Sequence, residues 1–133
     1  MRYEFVKKPK QYSPLSLAFV GDAVYEQFVR LKVIEENPDM PASKLYKETV
    51  KRVQAHAQSV SMNTVCDMLS EDELEMFKRG RNAKSVTSPK NADITEYRRA
   101  TGLETLVGYL YMTGDEDRLY EVMTAAYNAA IEE

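Results

Sequence analysis

The stretch LSLAFVGDAV, Leu15 to Val24, is apolar almost throughout yet carries a glycine and a carboxylate, Gly21 and Asp22, at its centre. Neither residue suits a helix that only packs. A glycine inside a helix costs about 1 kcal/mol relative to alanine, and a carboxylate on a core-facing helix is costly unless it is paired or holds a metal. The run TGLETLVGYLYM, Thr101 to Met112, repeats the anomaly with Gly102, Glu104 and Gly108. Two acids on separate apolar helices, both read as buried, point to a shared metal site. A glycine near each lets the two backbones approach.

Around these runs the sequence predicts helices and nothing else. Ser13 before Pro14 is a helix start, a capping hydroxyl followed by proline at the first helical position, and the helix is expected to run to Ile34. Leu17, Val20, Val24, Phe28 and Leu31 recur on one stripe, read as the core face, with Leu15, Phe19, Asp22 and Glu26 beside it. Asn37 and Pro38 end that helix, and further helices are expected over Ala42 to Arg52 and Gln54 to Leu69, merged or kinked near Val53. Ser70 with Glu73 three residues on makes a capping box for a short helix ending at Gly80. Asp93 and Glu96 open a long helix stopped by Gly114, and a last one runs from Glu116 to Ile131. Its core face is Leu119, Val122, Met123, Ala126 and Ala130. The fold class is all-α, with six or seven helices.

The 133 residues fit one domain, with residues 1–12 as a basic N-terminal extension. At 44% hydrophobic and 29% charged the composition is that of a soluble globular protein. No apolar stretch approaches the ~20 residues of a membrane span, and the single cysteine, Cys66, reads as a small core residue in a reducing, cytoplasmic setting. The net charge of −3 conceals an asymmetry. Lys78 to Arg99 holds seven basic residues against two acidic ones, whereas Asp115 to Glu133 holds six acids and one arginine. The first segment is a local footprint for a polyanion. Within it RNAKSVTSPKNA, Arg81 to Ala92, is the longest loop-like stretch, and loops of about 12 residues in compact domains are commonly functional.

With one His (His56) and one Cys, a zinc site of N and S ligands or a Ser-His-Asp triad has little to stand on. His56 reads as a surface or RNA-facing residue. Hard divalent ions such as Mg²⁺ need only one or two protein carboxylates, completed by water and substrate phosphate. Buried helix acids are also common salt-bridge partners, with Arg98 and Arg99 available for that role, and a charge run alone is often only solvated. An acid pair joined to a phosphate-attracting loop is what phosphodiester hydrolysis requires: cations position the backbone, and a metal activates the attacking water.

At this point the residues resemble a known family. LAFVGDAVYE, Leu17 to Glu26, is similar to the signature helix of ribonuclease III catalytic domains, and most similar to Mini-ribonuclease III, the short bacterial form without a double-stranded-RNA-binding domain. RGRNAKS (Arg79 to Ser85), PKN (Pro89 to Asn91) and YR (Tyr97 to Arg98) resemble that family's loop, and LETLVGYLY (Leu103 to Tyr111) its second acidic helix. The resemblance runs in order from Ser13 to Glu132.

It implies an all-helical, homodimeric, cytoplasmic endoribonuclease that uses Mg²⁺, with Mn²⁺ as a substitute, to cut double-stranded RNA, maturing the large-subunit ribosomal RNA precursor, with or without help from a ribosomal protein. It implies Asp22 and Glu104 as metal-binding and catalytic residues, and Arg79, Arg81, Asn82, Lys84, Ser85 and Lys90 as RNA contacts. Full-length ribonuclease III carries further acids at the positions of Leu15, Ala18 and Thr101, so the metal shell here is thinner. Glu26, one turn beyond Asp22, is a candidate for an outer role or an ordinary ion pair. The alternative reading is a non-catalytic RNA-binding or ribosome-assembly module on the same fold. A helical protein-interaction domain using the acidic tail would leave Asp22 and Glu104 unexplained.

Overall fold

The computed structural model describes residues 4–84 and 93–131. Its described residues form six α-helices: α1 (Pro14–Glu36), α2 (Ala42–Val53), α3 (Ala55–Val65), α4 (Glu71–Arg81), α5 (Ile94–Thr113) and α6 (Glu116–Ile131). Two single 3₁₀ turns, Pro9–Gln11 and Cys66–Met68, are added to them. No strand occurs among the described residues, as the helical periodicities require.

The predicted caps are the ones in place. Ser13 Oγ accepts from the Ser16 N–H ahead of Pro14. Ser70 and Glu73 cap each other's backbone N–H groups, and Asp93 accepts from Thr95 and Glu96. Gly114, with φ +80°, ends α5 in the left-handed region where a side chain is strained. The expected helix over Gln54 to Leu69 is shorter. Gln54, at φ −64° and ψ 156°, is extended backbone between α2 and α3, and the final turn tightens to 3₁₀.

α5 is the central element, packed on α1, α3 and α4, with α6 closing over α3. The core is built from Leu17, Tyr25, Val29, Met62, Leu103, Leu106, Val107, Val122 and Tyr127, all essentially without solvent exposure. The stripe that α1 buries corrects the expectation. It is Leu17, Ala18, Gly21, Tyr25, Val29 and Val33, whereas Leu31 is 61% exposed and Val20, Val24 and Phe28 are half-buried.

The cause is the crossing with α5. A Cβ on Gly21 would stand 1.7 Å from the Glu104 carbonyl oxygen, and one on Gly108 would stand 1.9 Å from that of Leu17. Backbone meets backbone there, so the helix turns its glycine face inward. Val24, Phe28 and Leu31 are rotated to the rim of a groove of about 520 Å³ shared with Leu119 and Met123. Gly80 and Gly102 serve the α4–α5 contact similarly, with Thr105 and the Phe77 ring against them.

Polar ties lock the periphery. Arg118 of α6 donates to both oxygens of Glu73 at 2.8 and 2.7 Å, and that hydrogen bond holds the Glu73 carboxyl below the usual carboxylate range. Arg99 donates to Ser59 and Asn63 of α3. It therefore ties α5 to α3, a different role from the salt bridge to the helix acids that the sequence reading offered for it. No helix among the described residues is long and apolar enough to cross a membrane.

Candidate active site

Asp22 follows Gly21 on α1, and Glu104 supplies the carbonyl that Gly21 packs against. The crossing therefore sets the separation of the two carboxyl groups. They meet as a pair, within hydrogen-bonding reach of each other. Asp22 is exposed, however, and Glu104 half-buried. Two buried acids were expected, with Asp22 at the flank of the core face. Asp22 belongs to the stripe beside the buried face, so its carboxylate opens to solvent while its backbone lies in the core.

Glu104 is pushed up from 4.5 to about 8. Burial is the largest cause, followed by the Asp22 charge and by a hydrogen bond with Asp22; Gln58 acts in the opposite direction. In the folded, metal-free protein Glu104 thus keeps a proton that the unfolded chain has lost. Stability falls as pH rises from about 4.5 to about 8, the interval between the two states' values. A divalent cation would take the place of that proton.

The residues present fit a hard cation. Among the described residues no group of three or more His, Cys, Asp and Glu could hold a metal, so the donors are the two carboxylates and whatever neutral oxygens lie beside them. An all-oxygen set of this kind suits Mg²⁺ or Mn²⁺.

The predicted RNA contacts divide into three groups. Arg81 and Lys84 stand at the end of α4. The Arg81 guanidinium lies over the Phe77 ring and donates to Asn82, the residue that caps the helix. Lys84 lines a cavity of about 380 Å³ with Leu15, Gly80, Tyr97, Arg98 and Thr101. Leu15 and Thr101, two of the positions lacking an acid, thus share a cationic cavity.

Arg79 is different, because its guanidinium donates to the Lys10 and Tyr12 carbonyls at 3.0 and 3.2 Å and straps the N-terminal segment to α4. Ser85 and Lys90 lie outside the described residues. Glu26 pairs with Arg30 at 2.9 Å, the ordinary ion pair, and His56 is a surface residue against Glu96 at the start of α5.

Two features escaped the sequence reading. Tyr97 and Arg98 line the cationic cavity; the sequence reading set them in the helix opened by Asp93 and took YR as part of the family resemblance, but did not count either as an RNA contact. Gln58 occupies the buried stripe of α3 with Ser61, Met62 and Val65. An amide at i with apolar residues at i+4 and i+7 was the available signal.

A family model described as the Ribonuclease III domain matches residues 15–115, spanning the acid pair and every helix from α1 to α5. The chain belongs to the ribonuclease III family. It is 49% identical to Mini-ribonuclease 3 of Clostridium tetani over 126 residues, 94% of this chain and 83% of the relative. It is 44% identical to that of Brevibacillus brevis over 124 residues, 93% and 92% of the two chains. A crystal structure of a Fusobacterium nucleatum protein superposes with a TM-score of 0.78 at 29% identity, covering 89% of this chain and 93% of the other. Membership of that family makes the protein an endoribonuclease, a hydrolase of phosphodiester bonds, and stands against the non-catalytic alternative.

Proposed function

We propose that this endoribonuclease cleaves double-stranded RNA with a divalent cation, Mg²⁺ or Mn²⁺, held between Asp22 and Glu104, and acts in the cytoplasm on the large-subunit ribosomal RNA precursor. The acid pair at the crossing of α1 and α5 carries the reading, because two carboxyl groups kept together by backbone packing are arranged for a cation. Bound there, the cation supplies charge for the scissile phosphate and activation of water. The protein's own part is to keep both carboxylates aimed at one point and to release the Glu104 proton when the cation enters.

Arg81 and Lys84 hold the neighbouring phosphates, with Asn82, Ser85 and Lys90 as further contacts, and Arg79 ties the N-terminal segment to α4 beside them. In this reading the chain is one catalytic domain, with residues 1–12 as an extension and 81–92 as the RNA-gripping loop. A-form RNA offers phosphates and 2′-hydroxyls across a shallow groove, which suits a cationic loop. The test is incubation with a long RNA duplex with and without Mg²⁺, with cleavage expected only in its presence. Cleavage undiminished by chelator would overturn the metal assignment.

Replacing Arg81 and Lys84 with Ala should weaken the binding of any duplex. It should also lower the slope of log affinity against log salt, by somewhat less than about one unit for each phosphate that the variant no longer holds. Titrations at several salt concentrations read it, and an unchanged slope would leave these cations as a solvated run.

The enzyme works as a homodimer in this proposal. Phe19 is 81% exposed on α1, on the same stripe as Leu15 and Asp22, and a two-fold contact through that stripe would bring two acid pairs to one duplex. Sedimentation at micromolar concentration should give a dimer, and Phe19→Glu a monomer. A wild-type monomer that cuts both strands would defeat the idea.

A further inference from the structure

Arg98 and Arg99 are neighbours in the sequence and opposites in the structure. Arg99 commits its guanidinium to Ser59 and Asn63 of α3. Arg98, rotated from it by about 100° around α5, is exposed and has no ion-pair partner among the described residues. It lines the cavity of about 380 Å³ together with Lys84.

Helix packing brings these two cations to one opening. α4 is seated closely on α5, since a Cβ on Gly80 would stand 2.2 Å from Thr105 Oγ1, and the Asn82 and Ala83 N–H groups continue to donate to the Lys78 and Gly80 carbonyls at 2.9 and 3.2 Å. Lys84 therefore leaves from a fixed end. No carboxylate lines the cavity among the described residues, and the Thr101 hydroxyl is spent within its own helix, donating to the Tyr97 carbonyl at 3.0 Å. Two cations facing one space without a counter-charge repel each other until an anion enters.

The position of the cavity says which anion. Thr101 precedes Glu104 by three residues and Arg98 precedes it by six, which places them about 4.5 Å and about 9 Å from it along the axis of α5. A backbone phosphate adjoining the scissile one lies in that range. We propose that Arg98 is a further RNA-contacting residue: with Lys84 it seats one backbone phosphate of the duplex in the cavity beside the acid pair. The proposal rests on the double-stranded RNA reading above and adds to it a cation from the helix that carries Glu104. Because Arg98 and Glu104 share that helix, a phosphate held by the first sets the register of the strand at the second. The planar guanidinium suits the task, since it can meet two phosphate oxygens at once.

The experiment uses an RNA duplex with a mapped cut position, and versions of it in which one phosphate at a time is a neutral methylphosphonate. Binding is titrated at several salt concentrations in chelator, and the cut is mapped in Mg²⁺. Wild type should lose affinity when the neutral position adjoins the cut. Arg98→Ala should shrink that penalty, and Arg98→Ala combined with Lys84→Ala should remove it. On the unmodified duplex Arg98→Ala should bind several-fold more weakly, with a salt slope lower by somewhat less than about one unit, and its cuts should spread to adjoining bonds. Its melting should match wild type, because the side chain has no ion pair in the fold to lose. Arg98→Lys keeps the charge without the fork, so it should restore the slope but only part of the affinity.

A merely solvated Arg98 would leave the salt slope and the pattern of sensitive phosphates as in wild type, and a merely structural one would lower melting with that pattern unchanged. Either result overturns the inference alone, as does a contact that maps to phosphates remote from the cut. Wild-type protein that binds no duplex, or binds it without dependence on salt, overturns the double-stranded RNA reading and this inference with it.

Discussion

Asp22→Asn should abolish cleavage of duplex RNA, with a loss on the order of a thousandfold or more, while the helical fold and duplex binding persist. Several kcal/mol of transition-state stabilisation are expected of a metal in phosphoryl chemistry, and the substitution removes one of the two charges that would hold it. Asparagine keeps the shape, and the site is open on that side, so packing is undisturbed. Glu104→Gln should silence the enzyme equally but differ in stability. In metal-free protein it eliminates a carboxyl group pushed up to about 8. Its melting temperature should therefore exceed that of wild type at pH 9, with the gap closing toward pH 4.5. Cleavage assays at saturating Mg²⁺ and melting curves at the two pH values check both statements. Near-normal turnover in Asp22→Asn would dismiss the pair as the catalytic centre.

Gly21→Ala should be the most damaging single-methyl change in the protein. The added carbon would stand 1.7 Å from the Glu104 carbonyl oxygen and 2.7 Å from the Gly108 nitrogen, and these are backbone atoms of a buried helix that cannot rotate away. Overpacking of a core ordinarily costs about 1–3 kcal/mol because side chains shift. Here two helices must separate, so the cost should exceed that range and lower the melting temperature by more than about 10 °C. Gly114→Ala is the control. Its φ of +80° strains alanine but nothing stands within 4 Å, so a loss of only about 1–2 kcal/mol is expected. Calorimetric melting of the two variants separates close approach from backbone strain, and equal losses would contradict the crossing geometry.

Much of this architecture is readable from residue types because caps and stops act locally. Ser13–Pro14, Ser70 with Glu73, Asp93 and Gly114 each satisfy or terminate a helix end with neighbours in the chain, and those boundaries hold. The buried face of α1 is a different matter. Periodicity admits both Val20–Val24–Phe28 and Gly21–Tyr25–Val29, and hydrophobicity favours the first. The choice falls to the second because glycine lets α5 approach, a property of the partner helix that no window along α1 contains.

The acid pair is legible for a related reason: Asp22 and Glu104 each break an apolar run beside a glycine. Its degree of burial is not, since that depends on rotation about the helix axis. Arg79 and Arg81 look alike in the sequence. Only the path of the N-terminal segment across α4 distinguishes a strap from a cation held against its own helix end.

The crossing at Gly21 has a practical corollary for anyone wishing to engineer a hardier catalyst. Glu104 lends its main chain to the tight seam with α1 and, in the function proposed above, its side chain to the chemistry. Random libraries screened for heat tolerance will therefore find this seam closed to change, since improvement there would displace a reactive group. Gains must come from the outer rim, where Val24, Phe28, Leu31, Leu119 and Met123 border a groove that larger side chains could fill without moving either carboxylate.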